Sequence, residues 1–390
     1  MLSATRHLLN VGGQQNRTFY VLFITFFTFT LGLVWAGNAI RAELVSIDLD
    51  LFATAQQVSS FSVIILSLAY TALVDSVAKD RMFIAITVLG MGGIALAALL
   101  LNTGPASFYE NTLLILWILY IVMFYMWVIH WGTFIIDVYD TRTAKRIYPL
   151  LGIARPLGTI VAGLSYGVLT SVVQIGDSNL LTVLVVWIAT LSVVAALLFI
   201  ASVLIRRSDE FTLGTEQVSP DSKGSSLSNL IEGIQYLFKS SFVAWMAVSA
   251  LLVIGLNTLT EYQASEIIRD YVADQADPTA AFAEFTALWD GISNIAAIFL
   301  QLFVFNRLMN QIGIRSMVMI YPLMAVSVSA GLIVTPLIFM AVIAWVNINA
   351  FRRVFRDPIV GLMGNAVPSR AKGRVRAVIN GLISPAGAVI

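Results

Sequence analysis

Residues 180–207 read LLTVLVVWIATLSVVAALLFIASVLIRR, twenty-six positions without a charge, closed by Arg206 and Arg207. A helix rises about 1.5 Å per residue, so the uncharged run is about 39 Å long and crosses a hydrocarbon core of about 30 Å. The sequence then turns over. From Ser208 to Ser240 it is rich in Ser, Asp and Glu, and apolar sequence resumes at Phe242. A long apolar helix, a pair of arginines, a polar interruption and a second apolar helix describe a chain that threads a bilayer.

The same reading carried outward, with a window of about 20 residues, predicts ten more spans. Before residue 180 they are Phe19–Ile40, Phe61–Ala78, Met82–Leu101, Asn111–Ile135 and Ile147–Thr170. After the first of the second set, Phe242–Gln263, come Phe285–Phe305, Met317–Val334, Leu337–Asn349 and Val375–Ile390. Arg6 and Arg17 precede the first span, as in a signal peptide. Its apolar run exceeds the 7–15 residues of such a segment and no A-x-A site follows, so it reads as an uncleaved span. Composition agrees: 58% of the residues are hydrophobic and 12% charged, with a mean hydropathy of +0.87. Soluble domains have about 45–50% apolar and about 25% charged residues, so lipid must cover this surface. Cysteine is absent, which excludes disulfides and thiol chemistry. His7 and His130 are too few and too far apart for an ordinary metal site, and neither metal nor cofactor is expected.

Placing the N-terminus in the cytoplasm puts 20 of the 23 Lys and Arg residues at the inner edges of the spans. Only Arg41 and Arg269 fall outside, and Arg155 lies within a span. A miscounted span would reverse every later loop, so this asymmetry supports both the count and a multi-pass inner- or plasma-membrane location. The polar stretch Arg206–Ser240 divides the chain into a six-span bundle (1–205), a cytoplasmic linker (206–240) and a five-span bundle (241–390). Within the linker, Leu230, Ile231, Ile234 and Leu237 predict a short interfacial helix over Asn229–Leu237. Lys145, Gly152, Pro156 and Gly158 recur as Arg374, Gly381, Pro385 and Gly387 at a constant offset of 229, in the fifth span of each half. Paired Gly/Pro interruptions in corresponding spans point to a two-repeat transporter. A six-span repeat leads one to expect a twelfth span beyond Ile390.

Two resemblances carry the functional reading. The loop Thr71-Ala-Leu-Val-Asp75-Ser-Val-Ala-Lys79-Asp-Arg81 resembles the G-x-L-x-D-R-x-G-R-R loop of the major facilitator superfamily, and Arg307 to Arg315 occupies the equivalent place after the eighth span. The stretch from Trp131 through Asp137, Asp140, Arg142, Arg146 and Tyr148-Pro149 to Gly152 resembles the span-4-to-span-5 signature of the nucleotide translocase (ATP/ADP antiporter-like) branch. Arg41-Ala-Glu-Leu44, Tyr262-Gln263, Leu288-Trp-Asp290, Arg307-x5-Gly313 and Phe355-Arg356-Asp357-Pro358 agree with it in order. The resemblance implies an all-α polytopic protein with a 6+6 bundle, no cofactor, alternating access and nucleotide substrates. Some relatives carry a soluble domain after the twelfth span.

Polar groups inside a bilayer are functional candidates because they are costly there. Arg155, about 12 Å into its span, either lines a cavity or forms an ion pair between helices. Arg41, Asn257, Glu261, Gln263, Asp290 and Asn294 gather toward the outer halves of their spans. Either carboxylate serves as a proton or cation site, as a partner of Arg155 or Arg41, or as a solvated residue at the outer mouth. His130 reads as a hydrogen-bonded packing residue or a titrating one. Asn347 and Asn349 point about 200° apart, so at most one faces a cavity. Asp75, Lys79, Arg81, Asp137, Asp140, Arg142, Arg146 and Arg307 read as an inner gate latch. Gly90-x-Gly92-Gly93 lies within a span with no preceding strand, so packing explains it. No Walker A sequence, acid–base–nucleophile cluster or nucleic-acid-binding pattern occurs, and no enzymatic role is expected. A polyanion needs several cations along its route. Every lysine sits at an inner edge or in the linker, so only Arg155 and Arg41 are expected to reach a cavity. Nucleotides therefore stand beside other organic or anionic solutes. A second class stays open: a membrane-embedded sensor or scaffold presenting a fused or separate soluble domain.

Overall fold

A computed structural model of the chain describes residues 13–73, 77–139, 143, 147, 150–175, 178–207, 234–363, 367, 375 and 378–389. Among them every regular element is helical. The first six long helices are α1 (Gly13–Ile47), α2 (Leu49–Leu73), α3 (Lys79–Thr103), α4 (Tyr109–Val138), α5 (Ala154–Val172) and α6 (Asn179–Arg206). After the linker come α7 (Ser241–Val272), α8 (Pro278–Phe299), α9 (Asn306–Val334) and α10 (Ile338–Val346). A π-helical segment, Leu300–Phe305, joins α8 to α9, and another, Asn347–Arg356, carries α10 into α11 (Asp357–Met363). A third, Ile379–Ile383, leads into α12 (Ser384–Gly387).

Helix starts follow from local chemistry. Ser178, Ser240 and Asp277 each accept a hydrogen bond from the backbone N–H three residues on, a cap worth about 1 kcal/mol. Pro278 stands at the first position of α8, where its missing N–H has no partner to lose. Pro156 offers no N–H to Gly152, and the helical run Leu150–Val172 is interrupted by a turn at Ile153 before α5 continues from Ala154. Arg155 stands just beyond this turn.

Nine apolar helical runs among the described residues are long enough to cross a membrane. One, Pro278–Val334, has 57 residues, about 86 Å of helix against a core of about 30 Å. It breaks at Gly313, whose φ of 71° and ψ of 170° lie in a region only glycine enters readily. The two limbs correspond to the expected spans Phe285–Phe305 and Met317–Val334. Two other spans differ from expectation. The second begins at Leu49 rather than Phe61, because the polar residues that lower its hydropathy are satisfied within the helix: Ser59 and Ser60 both donate to the Gln56 carbonyl. The tenth does not stop at Asn349; helix continues to Met363 through Arg352, Arg353 and Arg356. The expected span Val375–Ile390 and helix Asn229–Leu237 lie only partly within the described residues, and those from Ile234 to Lys239 are helical.

By packing, the chain divides into two compact units. One is drawn from Met1–Gly37 and Tyr70–Lys223, the other from Asn38–Ala69 and Gly224–Ile390. The second unit thus includes the last turns of α1 and most of α2. The core of the first unit is aromatic: Trp127 of α4 stacks on Phe29 of α1 at 3.9 Å and 8°, with Phe26, Phe83 and Trp131 around it. In the second, Val253, Met317, Tyr321, Ala350, Val354 and Phe355 join α7, α9 and the segment after α10.

A close helix approach recurs in both units. A Cβ on Gly158 of α5 would lie 2.8 Å from the Phe27 carbonyl oxygen and 3.0 Å from Thr30 Cβ, both on α1. A Cβ on Gly387 of α12 would lie 2.8 Å from the Leu251 carbonyl oxygen and 3.1 Å from Ile254 Cβ, both on α7. Each glycine admits a backbone carbonyl and a β-branched side chain three residues beyond it. Gly152, the other glycine of the first pattern, meets nothing within 4 Å.

Candidate functional site

The second unit holds a continuous polar cluster inside its apolar helices. Asn38 and Arg41 stand three apart on α1 and project from one face. Arg41 donates from Nη2 to Glu261 Oε1 of α7 at 2.7 Å, with only 15% and 20% of the two side chains exposed. Its guanidinium also lies 4.9 Å from the centre of the Trp345 ring on α10, a cation–π contact. Asp290 of α8 accepts from Asn38 Nδ2 at 3.1 Å and from Trp345 Nε1 at 2.9 Å. One turn further along α8, Asn294 donates to the Asp290 carbonyl at 2.8 Å and accepts from Arg353 Nη1.

Depth gives this cluster its meaning. Asp290 stands twelve residues beyond Pro278, about 18 Å along α8. Arg353 stands fifteen residues beyond Ile338, about 23 Å, on a helix that runs ten residues further to Met363. Both lie well within their helical runs, away from either end. Val354 and Phe355, next to Arg353, are buried in the core of the unit, so the arginine belongs to an inward-packed stretch of helix.

The other expected residues of this unit fall on or beside the cluster. Asn257 lies one turn from Glu261 and accepts from the Tyr321 hydroxyl at 2.8 Å; its own Nδ2 is buried and bonds to no protein group. Gln263, two residues from Glu261, is half-buried on another side of α7. Asn347 is 1% exposed, and neither atom of its amide bonds to a protein group. Asn349 is half-buried, in keeping with the two pointing apart. Ser293 Oγ is likewise buried without a protein partner.

In the first unit, His130 is fully buried. Its Nε2 lies 2.7 Å from the Lys79 carbonyl oxygen, which can only accept, so Nε2 carries the proton and Nδ1 accepts from the Tyr70 hydroxyl at 2.8 Å. Phe83 packs edge-on against the ring. Arg155 is half-buried, its guanidinium 4.9 Å from the Phe124 ring centre. Of the gate candidates, Arg81 and Arg307 are exposed and Lys79 is half-buried. Asp75, Asp140, Arg142, Arg146 and the side chain of Asp137 lie outside the described residues.

Four contributors escaped the sequence reading. Arg353 reads as an edge charge because local hydropathy collapses over Arg352–Arg356, although the helical run Ile338–Met363 continues past it. Trp345 and Asn38 are single polar-tipped residues in apolar runs, and only the spacing of Asn38 from Arg41 hints at a shared face. Asp80, in the motif loop but passed over for Asp75, is 4% exposed and takes Arg206 Nε and Nη2 at 2.8 Å together with the Ser202 hydroxyl.

Residues 108–359 match the family model described as TLC ATP/ADP transporter. No curated protein matches. Among solved structures, the nucleoside transporter NupG, as an aspartate-to-alanine variant, gives a TM-score of 0.68 at 12% identity over 95% of this chain and 89% of its own. A bacterial homologue of the human lysosomal transporter Spinster gives 0.64 at 14% over 97% and 81%. The fucose:proton symporter FucP of E. coli gives 0.55 at 14% over 95% and 90%. At these identities the likeness is one of fold, that of the major facilitator transporters.

Proposed function

The chain belongs to the TLC ATP/ADP transporter family, and on that premise we propose that it moves a phosphate-bearing anion of the nucleotide class by alternating access. It is an integral multi-pass membrane protein and a secondary transporter; the sensor or scaffold reading is not favoured by its family or fold. The substrate class rests on one observation: Arg353 stands deep within a helix packed against α8, held by Asn294. An arginine at that depth is functional by default, and its fork suits phosphate oxygens. It adds a candidate cation to the two expected from sequence. The buried amide of Asn347 and hydroxyl of Ser293 add neutral hydrogen-bonding capacity. The decisive experiment is counterflow in proteoliposomes. Labelled ADP is expected to enter faster when the lumen holds unlabelled nucleotide. Counterflow with organic acids and none with nucleotides or phosphates would overturn the class.

The chain is further proposed to be a duplicated unit with its N-terminus in the cytoplasm. The asymmetry of basic residues supports the orientation, and the matching environments of Gly158 and Gly387 support the duplication. In this arrangement Asp75, Lys79, Arg81, Asp137, Asp140, Arg142, Arg146 and Arg307 belong to the inner edge and act as its latch. Cysteines introduced as Asp177→Cys and Ser222→Cys are expected to react with an impermeant reagent from opposite faces. Reaction from the same face would end this topology.

A further inference from the structure

We propose that the second unit binds ordered water at one level of its interior, between α7, α8 and the π-helical segment after α10, through Asn257, Ser293 and Asn347. The proposal goes beyond the transport reading and does not rest on it. In the solute-free protein it assigns water to the neutral groups of Asn347 and Ser293.

Packing of the unit brings the three side chains together. Val253 of α7, Ala297 of α8 and Ala350 of the segment after α10 belong to one apolar core. Asn257 stands one turn beyond Val253, Ser293 one turn before Ala297, and Asn347 one turn before Ala350. α8 and the helix that starts at Ile338 run in the same direction, because Asp290 meets Trp345 and Asn294, further along, meets Arg353. α7 runs against α8 across the short connection 273–277. The three steps therefore lead the same way out of the core and end at one level. Asn257, Ser293 and Asn347 are all deeply buried, with exposures of 5%, 0% and 1%.

Other buried hydroxyls of the unit are satisfied within their own helices. Thr260, Thr286 and Ser329 each donate to the carbonyl one turn back. Ser293 Oγ makes no such bond. Asn257 gives its Oδ1 to the Tyr321 hydroxyl, which leaves Nδ2 as a donor, and Asn347 contributes both a donor and an acceptor. An unpaired polar group in an apolar interior is costly, so these four atoms at one level call for an occupant. Its chemistry follows from theirs. None of the three side chains is charged, so an ion among them is left uncompensated. Two of the four atoms are amide nitrogens, whose hydrogens repel a metal cation. Water both donates and accepts, and makes about three hydrogen bonds in such places. It accepts from Asn257, donates to the Asn347 carbonyl oxygen and closes on Ser293. Asn347 opens the segment that carries Arg353, so this water seats that segment against α7 and α8.

Two measurements test this, and neither needs a solute. Hydroxyl radicals generated by X-rays form wherever water sits and oxidise the nearest side chains. Tyr321, bonded to Asn257, is 1% exposed, so a dry interior leaves it unlabelled. It is expected to be labelled, and to take up heavy oxygen from labelled bulk water more slowly than Trp245, which is 73% exposed. The second measurement is a double-mutant cycle in thermal unfolding. Ser293→Ala and Asn347→Leu are each expected to lower the midpoint, because each strips one bond from a shared water and leaves its other partners poorly paired. The double variant should fall by less than the sum. Tyr321 left unlabelled in the unsubstituted protein, or exchanging as fast as Trp245, overturns the proposal. So does a midpoint raised by Asn347→Leu, the result expected when an unpaired amide leaves an apolar interior, or a strictly additive cycle. Labelling of the unsubstituted protein decides the matter even where a variant fails to fold.

Discussion

Arg353→Gln is expected to reduce labelled ADP counterflow by about 100-fold or more while the protein still inserts and elutes as a folded species. A hydrogen bond to a charged group is worth about 1.5–3 kcal/mol, an arginine can make two to one phosphate, and each 1.4 kcal/mol is about tenfold. Glutamine keeps one donor group and much of the stem volume, so packing beside Val354 and Phe355 survives. Arg353→Lys restores the charge without the fork and is expected to fall between the two. Asn294→Ala removes the acceptor that holds the guanidinium and is expected to weaken counterflow less than loss of the charge. Counterflow unaffected by Arg353→Gln would remove this arginine from the solute's path, leaving Arg41 and Arg155 as the cations to examine.

The largest expected loss of stability comes from Gly158→Leu and Gly387→Leu, and the two should be alike. At either position the first added carbon meets a backbone carbonyl oxygen at 2.8 Å. A carbonyl in a helix cannot rotate away as a side-chain end can, so the helices must separate. Overpacking costs about 1–3 kcal/mol for modest insertions and more for large ones, which outweighs the about 0.5–1 kcal/mol that glycine concedes to alanine in helical preference. Unfolding in detergent should therefore shift strongly for both leucine variants, whereas Gly152→Leu, with open space around it, should change little. A silent Gly387→Leu beside a damaging Gly158→Leu would break the equivalence on which the duplicated architecture rests.

The gate residues and the cluster differ in how far sequence reaches them. Glu261, Asp290 and Asn294 were legible because a carboxylate or amide is conspicuous in an apolar run, whatever it touches. Arg41 was legible for the same reason, and its pairing with Glu261 was among the alternatives left open. Arg353 was not: three arginines in five residues lower the local hydropathy, which does not tell that the helix continues and buries Val354 and Phe355 beside the charge. Trp345 was invisible because an indole among aliphatic residues looks like packing until its N–H is seen to meet a carboxylate.

The sequence by itself determined that this protein lives in a bilayer and is built of helices, because transfer of side chains from water to lipid is additive along the chain and needs no knowledge of neighbours. It also marked the glycines of the repeated pattern. Tertiary structure alone decided which of those glycines admits a neighbouring backbone, which carboxylates receive an arginine and which receives only neutral donors. Those outcomes depend on distances of about 3 Å between residues some 50 to 250 positions apart, and hydrogen bonds and ion pairs at that range are set by how helices pack, not by the order of residues within any one of them.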